Sequence, residues 1–160
     1  MATTRSVRGF TIFEIVISLL VIGVIAASSA NFLSSAFTNY FTGINATALS
    51  LEAAVAMKKM DLELRNAISF SVINPTQVSF TTVDGLTVTY SLSGTTLSRT
   101  GTTTQPLSKN VSSLSLNYYA SNFGTTATLT AVRAVNISVT FSNAYQSIPL
   151  TNIIYLPNMK

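Results

Sequence analysis

Acidic side chains are the main candidates for chemistry in this chain of 160 residues, because it contains neither His nor Cys. The usual general base and the commonest transition-metal ligands are therefore missing. Glu52 and Glu63 fall on a predicted helix, where they would share a charged face with Lys59, and Asp84 falls in a turn. No pair is set for general acid–base catalysis. The sequence thus predicts no enzyme, and we expect no metal or cofactor. The carboxylates are Glu14, Glu52, Asp61, Glu63 and Asp84.

Glu14 differs from the other carboxylates because a long apolar run, residues 15–27, follows it directly. No charged residue occurs between Glu14 and Glu52, and no proline precedes Pro75. A single helix can therefore continue from near Phe10 to about Asn66. At about 1.5 Å per residue, the segment 10–30 is long enough to cross a bilayer of roughly 30 Å.

Two interpretations of this segment are a plain membrane helix and a secretory signal. In a secretory signal, Arg5 and Arg8 would be the positive region before the apolar run, and the small residues 26–30 would offer a cleavage site. A carboxylate inside an apolar stretch is costly and is usually kept for a specific interaction. A secretory signal has no use for Glu14, and a plain anchor would place it near the helix start, where the dipole favours negative charge. Glu14 therefore favours a third interpretation.

The segment 8–14, Arg-Gly-Phe-Thr-Ile-Phe-Glu, with the apolar run after it, resembles the prepilin leader junction of bacterial type IV pilins and type II secretion pseudopilins. The resemblance implies that a prepilin peptidase cuts after Gly9 and N-methylates Phe10. It also implies that Glu14, then the fifth residue, pairs with the Phe10 amine of a neighbouring subunit. The implied partners are other pilin or pseudopilin subunits and an assembly platform in the bacterial inner membrane.

The domain organisation follows from these boundaries. Residues 1–9 form the leader, 10–30 the membrane half of the helix, 31–70 its amphipathic half and 71–160 the head, with 31–160 as the globular unit. The amphipathic half carries two apolar stripes on nearly opposite sides. We expect one stripe to pack on the chain's own sheet and the other to meet adjacent subunits, unless the head buries the helix all round. The first stripe is Phe37, Phe41, Ile44, Ala48, Leu51, Val55 and Leu62, and the second is Ala53, Met57, Met60 and Leu64.

After residue 67 the pattern alternates between apolar and polar residues, which is typical of strands. Asp84-Gly85 and Ser93-Gly94 are hairpin signals. Residues 100–109 read as a loop, and residues 153–155 before Pro157 as a last edge strand. Five or six antiparallel strands after one long helix make an α+β fold, with the sheet covering the carboxyl half of the helix.

The head is similar to J-type minor pseudopilins and W-type minor pilins in residues 61–67 and 131–135. Many major pilins close a carboxyl-terminal loop with two cysteines, which this chain lacks. We therefore expect a minor pilin or pseudopilin in the inner membrane, and then in a surface pilus or periplasmic pseudopilus. A major pilin and a membrane-tethered β-rich binding protein are the alternatives. The net charge of +4, about +2 without Arg5 and Arg8, is too scattered to favour nucleic-acid binding.

Overall fold

The computed structural model describes residues 9–159, which contain one long α-helix and eight β-strands. The architecture is the expected α+β fold, with the carboxyl half of the helix packed against antiparallel sheet. The elements are α1 (Ile12–Arg65), β1 (Ala67–Asn74), β2 (Gln77–Thr82), β3 (Thr87–Ser93), β4 (Thr96–Thr100), β5 (Thr104–Ser108), β6 (Val111–Tyr119), β7 (Ala134–Ser142) and β8 (Ser147–Tyr155), with a 3-10 turn at Leu129–Ala131.

The strands form two antiparallel sheets, not the single sheet of five or six strands expected from the sequence. The first sheet is a meander of β1 to β5 in chain order, and the second has the order β6-β7-β8. Gly85 and Gly94 have positive φ values of 78° and 58° in the β2–β3 and β3–β4 turns, as the two hairpin signals predict. In the second sheet β8 is an edge strand, which was predicted, but it begins at Ser147, well before residue 153.

Two strands were not placed individually from the sequence, although β1 lies within the stretch after residue 67 whose pattern is typical of strands. β1 carries two register irregularities, which interrupt its alternation of apolar and polar residues. It includes residues 67–70, which were predicted as the end of the helical segment 31–70. β5 lies inside the predicted loop 100–109, where Pro106 argued against a strand. Proline is tolerated there because β5 is an edge strand, so a missing N–H need not break a ladder.

The described part of the chain divides into two compact units at Gly43. The unit that contains the head therefore begins at Ile44, not at residue 31. In the amino-terminal unit no described residue is buried. Amphipathic periodicity continues across residues 31–43 and so could not indicate where the buried part of the helix begins.

One apolar core joins the carboxyl half of α1 to both sheets. Main-chain bonds also connect the sheets, because β6 donates N–H groups from Val111 to the Thr95 carbonyl at 3.0 Å and from Leu116 to the Pro75 carbonyl at 2.8 Å. The turns of the first sheet thereby occupy the open edge of β6. The helix contributes Leu49, Ala53, Ala56, Met60 and Leu64 to this core.

The residues after β8 are held by pairing and packing, as a chain without cysteine requires. The Leu156 N–H donates to the Arg133 carbonyl at 3.0 Å. The Asn158 side-chain amide donates to the carbonyl of Arg65, the last helical residue, at 3.0 Å, and so satisfies one of the carbonyls left open where α1 ends. Met159 is buried in the core.

Candidate assembly site

The predicted cleavage bond lies in non-helical chain immediately before α1. Gly9 and Phe10 are both exposed, and Phe10 retains 79% of its accessible surface. α1 begins at Ile12, two residues beyond the new amino terminus that cleavage after Gly9 would create. A peptidase needs an extended, accessible bond, so the local structure is compatible with cutting there. Residues 1–8 of the proposed leader lie outside the described residues.

Glu14 lies in the first turn of α1, where Thr11 caps the helix. The Glu14 N–H lies 3.3 Å from the Thr11 hydroxyl oxygen and 3.1 Å from the Thr11 carbonyl oxygen, and the Ile15 N–H also reaches that carbonyl. Thr11 followed three residues later by Glu14 has the spacing of a capping box. A carboxylate in this turn is stabilised by the positive end of the helix dipole. Glu14 therefore has a local role in stabilising the start of the helix, and an experiment on assembly must separate the two roles.

The helix that follows Glu14 is long and apolar enough to span a membrane, with a mean hydropathy of 2.4 over its most apolar window. Two of its hydroxyls are satisfied locally, because Ser18 and Ser29 donate to the carbonyls of Glu14 and Ile25, four residues back, at 2.8 Å. Such closed hydroxyls do not need water, so they fit a hydrocarbon environment.

In the carboxyl half of α1 the two apolar stripes have opposite surroundings. Of the second stripe, Ala53, Met60 and Leu64 are buried in the core, and Leu49 and Ala56 join them. Of the first stripe, Leu51, Val55 and Leu62 keep 65%, 58% and 51% of their accessible surface. The alternative that the head buries this helix all round is therefore wrong. An exposed apolar stripe lies opposite the buried one.

Carboxylates of α1 attach the helix to the sheets. The Glu63 carboxylate accepts a bond from the Tyr90 hydroxyl at 2.6 Å and from Arg99 Nε, which lies 2.9 Å from both its oxygens. Glu52 accepts bonds from the Lys109 N–H at 3.3 Å and the Asn110 side chain at 3.1 Å. The expectation that Glu52 and Glu63 share an exposed charged face with Lys59 is therefore wrong.

Asp61 is the carboxylate that forms a pair along the helix surface. It binds Arg65 one turn later at 3.0 Å, and it also accepts a bond at 3.3 Å from the side chain of Asn152 in β8. Two amide side chains from the β7–β8 turn add to this attachment. Asn143 and Gln146 donate to the helix carbonyls of Asn45 and Ala46 at 3.3 and 2.7 Å.

Burial sets the protonation of two tyrosines in this core. Desolvation raises the pKa of Tyr90, and its hydrogen bond to the Glu63 carboxylate raises it further. Desolvation also raises the pKa of Tyr118, whose hydroxyl donates to the Asn74 carbonyl at 3.0 Å. The hydrogen bond to Glu63 raises the pKa of the Arg99 guanidinium. The shifts of Tyr90 and Arg99 accompany a charge-assisted attachment of the helix through the Glu63 carboxylate.

Sequence reasoning singled out Gly9, Phe10 and Glu14, whose roles stay predictions, and it missed the cluster of Glu63, Tyr90 and Arg99. These residues come from α1, β3 and β4, so no local spacing connects them. Tyr90 on the apolar side of its strand was the one available signal, since a buried tyrosine hydroxyl needs a hydrogen-bond acceptor. Among residues 9–159 no group of three acidic, His or Cys side chains is placed to hold a metal ion.

Comparison with known proteins adds no family assignment. No family model matches the chain, and no curated protein matches it either. The fold and the site together define an α+β protein with a long amino-terminal helix that is apolar enough to span a membrane.

Proposed function

We propose that this chain is a structural subunit of a type IV pilus or of a type II secretion pseudopilus, and that it works by assembly, not catalysis. The observation that carries the proposal is the exposed stripe of Leu51, Val55 and Leu62 opposite the buried side of α1. A helix that serves only to tether a head needs no second apolar side. These side chains are 51–65% exposed, so covering each one would contribute about 1–2 kcal/mol, which favours packing against helices of neighbouring subunits.

The proposed maturation follows the resemblance at residues 8–14. A prepilin peptidase removes residues 1–9 and methylates the Phe10 amine, and the subunit waits in the inner membrane with residues 10–30 in the bilayer. The exposed, non-helical bond between Gly9 and Phe10 and the apolar helix after it support this order of events.

Glu14 supplies the register of assembly in this proposal. An ammonium and a carboxylate each lose several kcal/mol of solvation when they are alone in hydrocarbon, and pairing recovers much of it. The Phe10 amine of one subunit and Glu14 of its neighbour would therefore select one axial offset between subunits. An assembly platform in the inner membrane would extract the paired subunits into the filament.

Within this class we favour a minor pilin or pseudopilin, exposed on a surface pilus or held in a periplasmic pseudopilus. The similarity of residues 61–67 and 131–135 to J-type and W-type minor subunits supports this choice. The absence of cysteine fits it too, because the last residues are held by bonds from Leu156 and Asn158 instead of a disulfide. The alternative is a membrane-tethered binding protein whose helix is an anchor only.

Substitution of Glu14 distinguishes a filament subunit from a tethered head. The chain would be expressed in cells that contain a prepilin peptidase and an assembly platform, and sheared filaments would be compared with membranes. We expect Glu14→Ala to be processed and displayed but lost from filaments. Thr11→Ala is the matched control, because it removes the cap of the same helical turn and leaves the carboxylate in place.

The two variants and the mass of the mature chain decide between the interpretations. Equal loss of incorporation in Thr11→Ala and Glu14→Ala would assign Glu14 to helix capping and contradict the pairing. The wild-type chain should begin at a methylated Phe10. A chain that keeps Met1, or one trimmed near residues 26–30, would refute the proposal.

A further inference from the structure

The face of the second sheet that points away from the core carries no charge. β6, β7 and β8 contain no charged residue at all. The register places the outward residues in rows across the three strands. We call this surface the neutral face, and it is represented by Tyr119, Asn117, Asn136, Ser138, Ile153 and Tyr155.

An aromatic platform forms one end of the neutral face. One row across the strands consists of Tyr119, Ala134 and Tyr155. The Phe123 ring packs edge-on against the Tyr155 ring, with 6.4 Å between the two ring centroids. Ala134, between the two tyrosines, is buried although it lies outside the main core cluster. Phe123 and Tyr155 remain 68% and 57% exposed.

The backbone of Phe123 is strained. Its φ is +60°, a left-handed conformation that a side chain such as Phe rarely adopts. The loop holds it there, because the Phe123 N–H donates to the Ala120 carbonyl at 3.0 Å and the Ala120 N–H donates to the Gly124 carbonyl at 2.9 Å. A strained, exposed aromatic ring outside the core does not serve packing, so its position indicates a binding role.

Polar groups continue the face beyond the platform. Asn117 and Asn136 form the next row with Ile153, and Ser138 shares a hydrogen bond of 3.1 Å with Thr151 in the row after it. The Asn136 side-chain oxygen is buried and has no hydrogen-bond partner within residues 9–159. Rotation about its terminal torsion, which is broad, would turn this acceptor toward a hydroxyl donor.

We propose that the neutral face binds an uncharged carbohydrate chain. The C–H groups of a sugar ring complement the negative faces of exposed aromatic rings, and sugar hydroxyls complement amide and hydroxyl side chains. Nucleic acids and acidic glycans would require cations, which these three strands lack. The charged residue nearest in sequence, Arg133, donates through Nη1 to the carbonyls of Thr130 and Val132 at 2.8 and 2.9 Å.

The size of the face argues against a second copy of this chain as its occupant. Three strands of nine residues cover about 14 Å by 30 Å, roughly 400 Å². A stable protein interface needs about 800 Å² on each partner. A narrow, flat strip with an aromatic end suits a linear saccharide of a few units better than a protein surface.

The test uses the full chain in a zwitterionic detergent, because detergents with sugar headgroups would compete. Saturation-transfer NMR would probe cellohexaose, maltohexaose and fully N-acetylated chitohexaose, with an oligogalacturonate as the acidic comparison. We expect binding of at least one neutral probe that is unchanged between about 0.05 and 0.5 M salt, since no charge is involved. Tyr155→Ala should weaken it about tenfold. Tyr145→Ala is the matched control, because Tyr145 is 51% exposed in the turn at the opposite end of β7 and β8.

Phe123→Gly keeps the test independent of folding. Glycine adopts positive φ without strain, which offsets the entropy that it adds to the unfolded chain, so this variant should unfold within about 4 °C of wild type and still lose binding. Marked destabilisation would make Phe123 a packing residue and overturn the inference. Failure of all neutral probes, binding of the acidic probe alone, equal effects of Tyr145→Ala and Tyr155→Ala, or self-association that Tyr155→Ala abolishes would also overturn it.

Discussion

Removing the Glu63 carboxylate tests whether the helix is held on the head by a partly buried ion pair. The change is Glu63→Ala, which favours the helix intrinsically and therefore isolates the lost contacts. It leaves the Arg99 guanidinium, whose side chain is 14% exposed, without its carboxylate, and it leaves the Tyr90 hydroxyl without its acceptor.

The expected loss lies between two limits. Exposed ion pairs contribute at most about 1 kcal/mol, whereas removing one partner of a fully buried pair costs about 3–5 kcal/mol. The Glu63 side chain is 21% exposed, so we expect a loss of about 3 kcal/mol. At about 4 °C per kcal/mol for a domain of this size, the melting temperature should fall by about 12 °C.

Near-ultraviolet circular dichroism of the tyrosines, recorded on the full chain in detergent, would follow unfolding of the head. Arg65→Ala is the control, because the Arg65 side chain is 49% exposed in its pair with Asp61 and should cost less than about 0.5 kcal/mol. The triple variant Glu63→Met, Arg99→Met and Tyr90→Phe, which also removes the hydroxyl left without an acceptor, should recover most of the stability. A loss in Glu63→Ala no greater than that in Arg65→Ala would refute the reasoning.

Two further predictions concern the exposed stripe and the buried tyrosines. Leu51→Ser should leave the melting temperature within about 2 °C of wild type, because Leu51 is 65% exposed, and should deplete the chain from sheared filaments; normal incorporation would show that the stripe is not an interface. Burial raises the pKa of Tyr118 in the folded state, so the folded state favours the neutral hydroxyl. The resulting contribution to stability is fully present below the unfolded-state pKa of about 10 and is lost as the pH rises above that value. Between pH 10.5 and 12 the free energy of unfolding, measured with denaturant, should therefore fall less steeply with pH in Tyr118→Phe than in wild type, by up to about 1.4 kcal/mol per pH unit. An equal pH dependence in the two proteins would contradict the burial argument.

Local patterns were sufficient for the elements with a strong period. The long apolar run, the absence of proline before Pro75 and the Asp84-Gly85 turn predicted α1 and the first hairpins, because each depends on residues close in sequence. The bounds of β1 were not assigned and β5 was missed, because each strand departs from the regular pattern. Bulges disrupt the alternation of β1, and Pro106 is acceptable only because β5 has no further strand beside it.

The candidate site divides in the same way. Glu14 could be singled out because a carboxylate beside an apolar run is unusual, whereas Gly9 and Phe10 were named only through a resemblance within seven consecutive residues, on which all three proposed roles rest. Which apolar stripe of the helix is buried could not be read from the sequence, since both stripes have helical spacing. Packing against the two sheets decided it, and burial then left Leu51, Val55 and Leu62 outside.

The sequence by itself determined the apolar amino-terminal helix, the β-rich head and the position of the lone charge at the start of the apolar run. Only the tertiary structure decided that Glu63 meets Tyr90 and Arg99, and that Phe123 meets Tyr155 on an uncharged sheet face. The physical reason is the distance along the chain. Periodicity records which side of its own element a residue occupies, whereas contacts between elements depend on strand order and register, which the whole core selects.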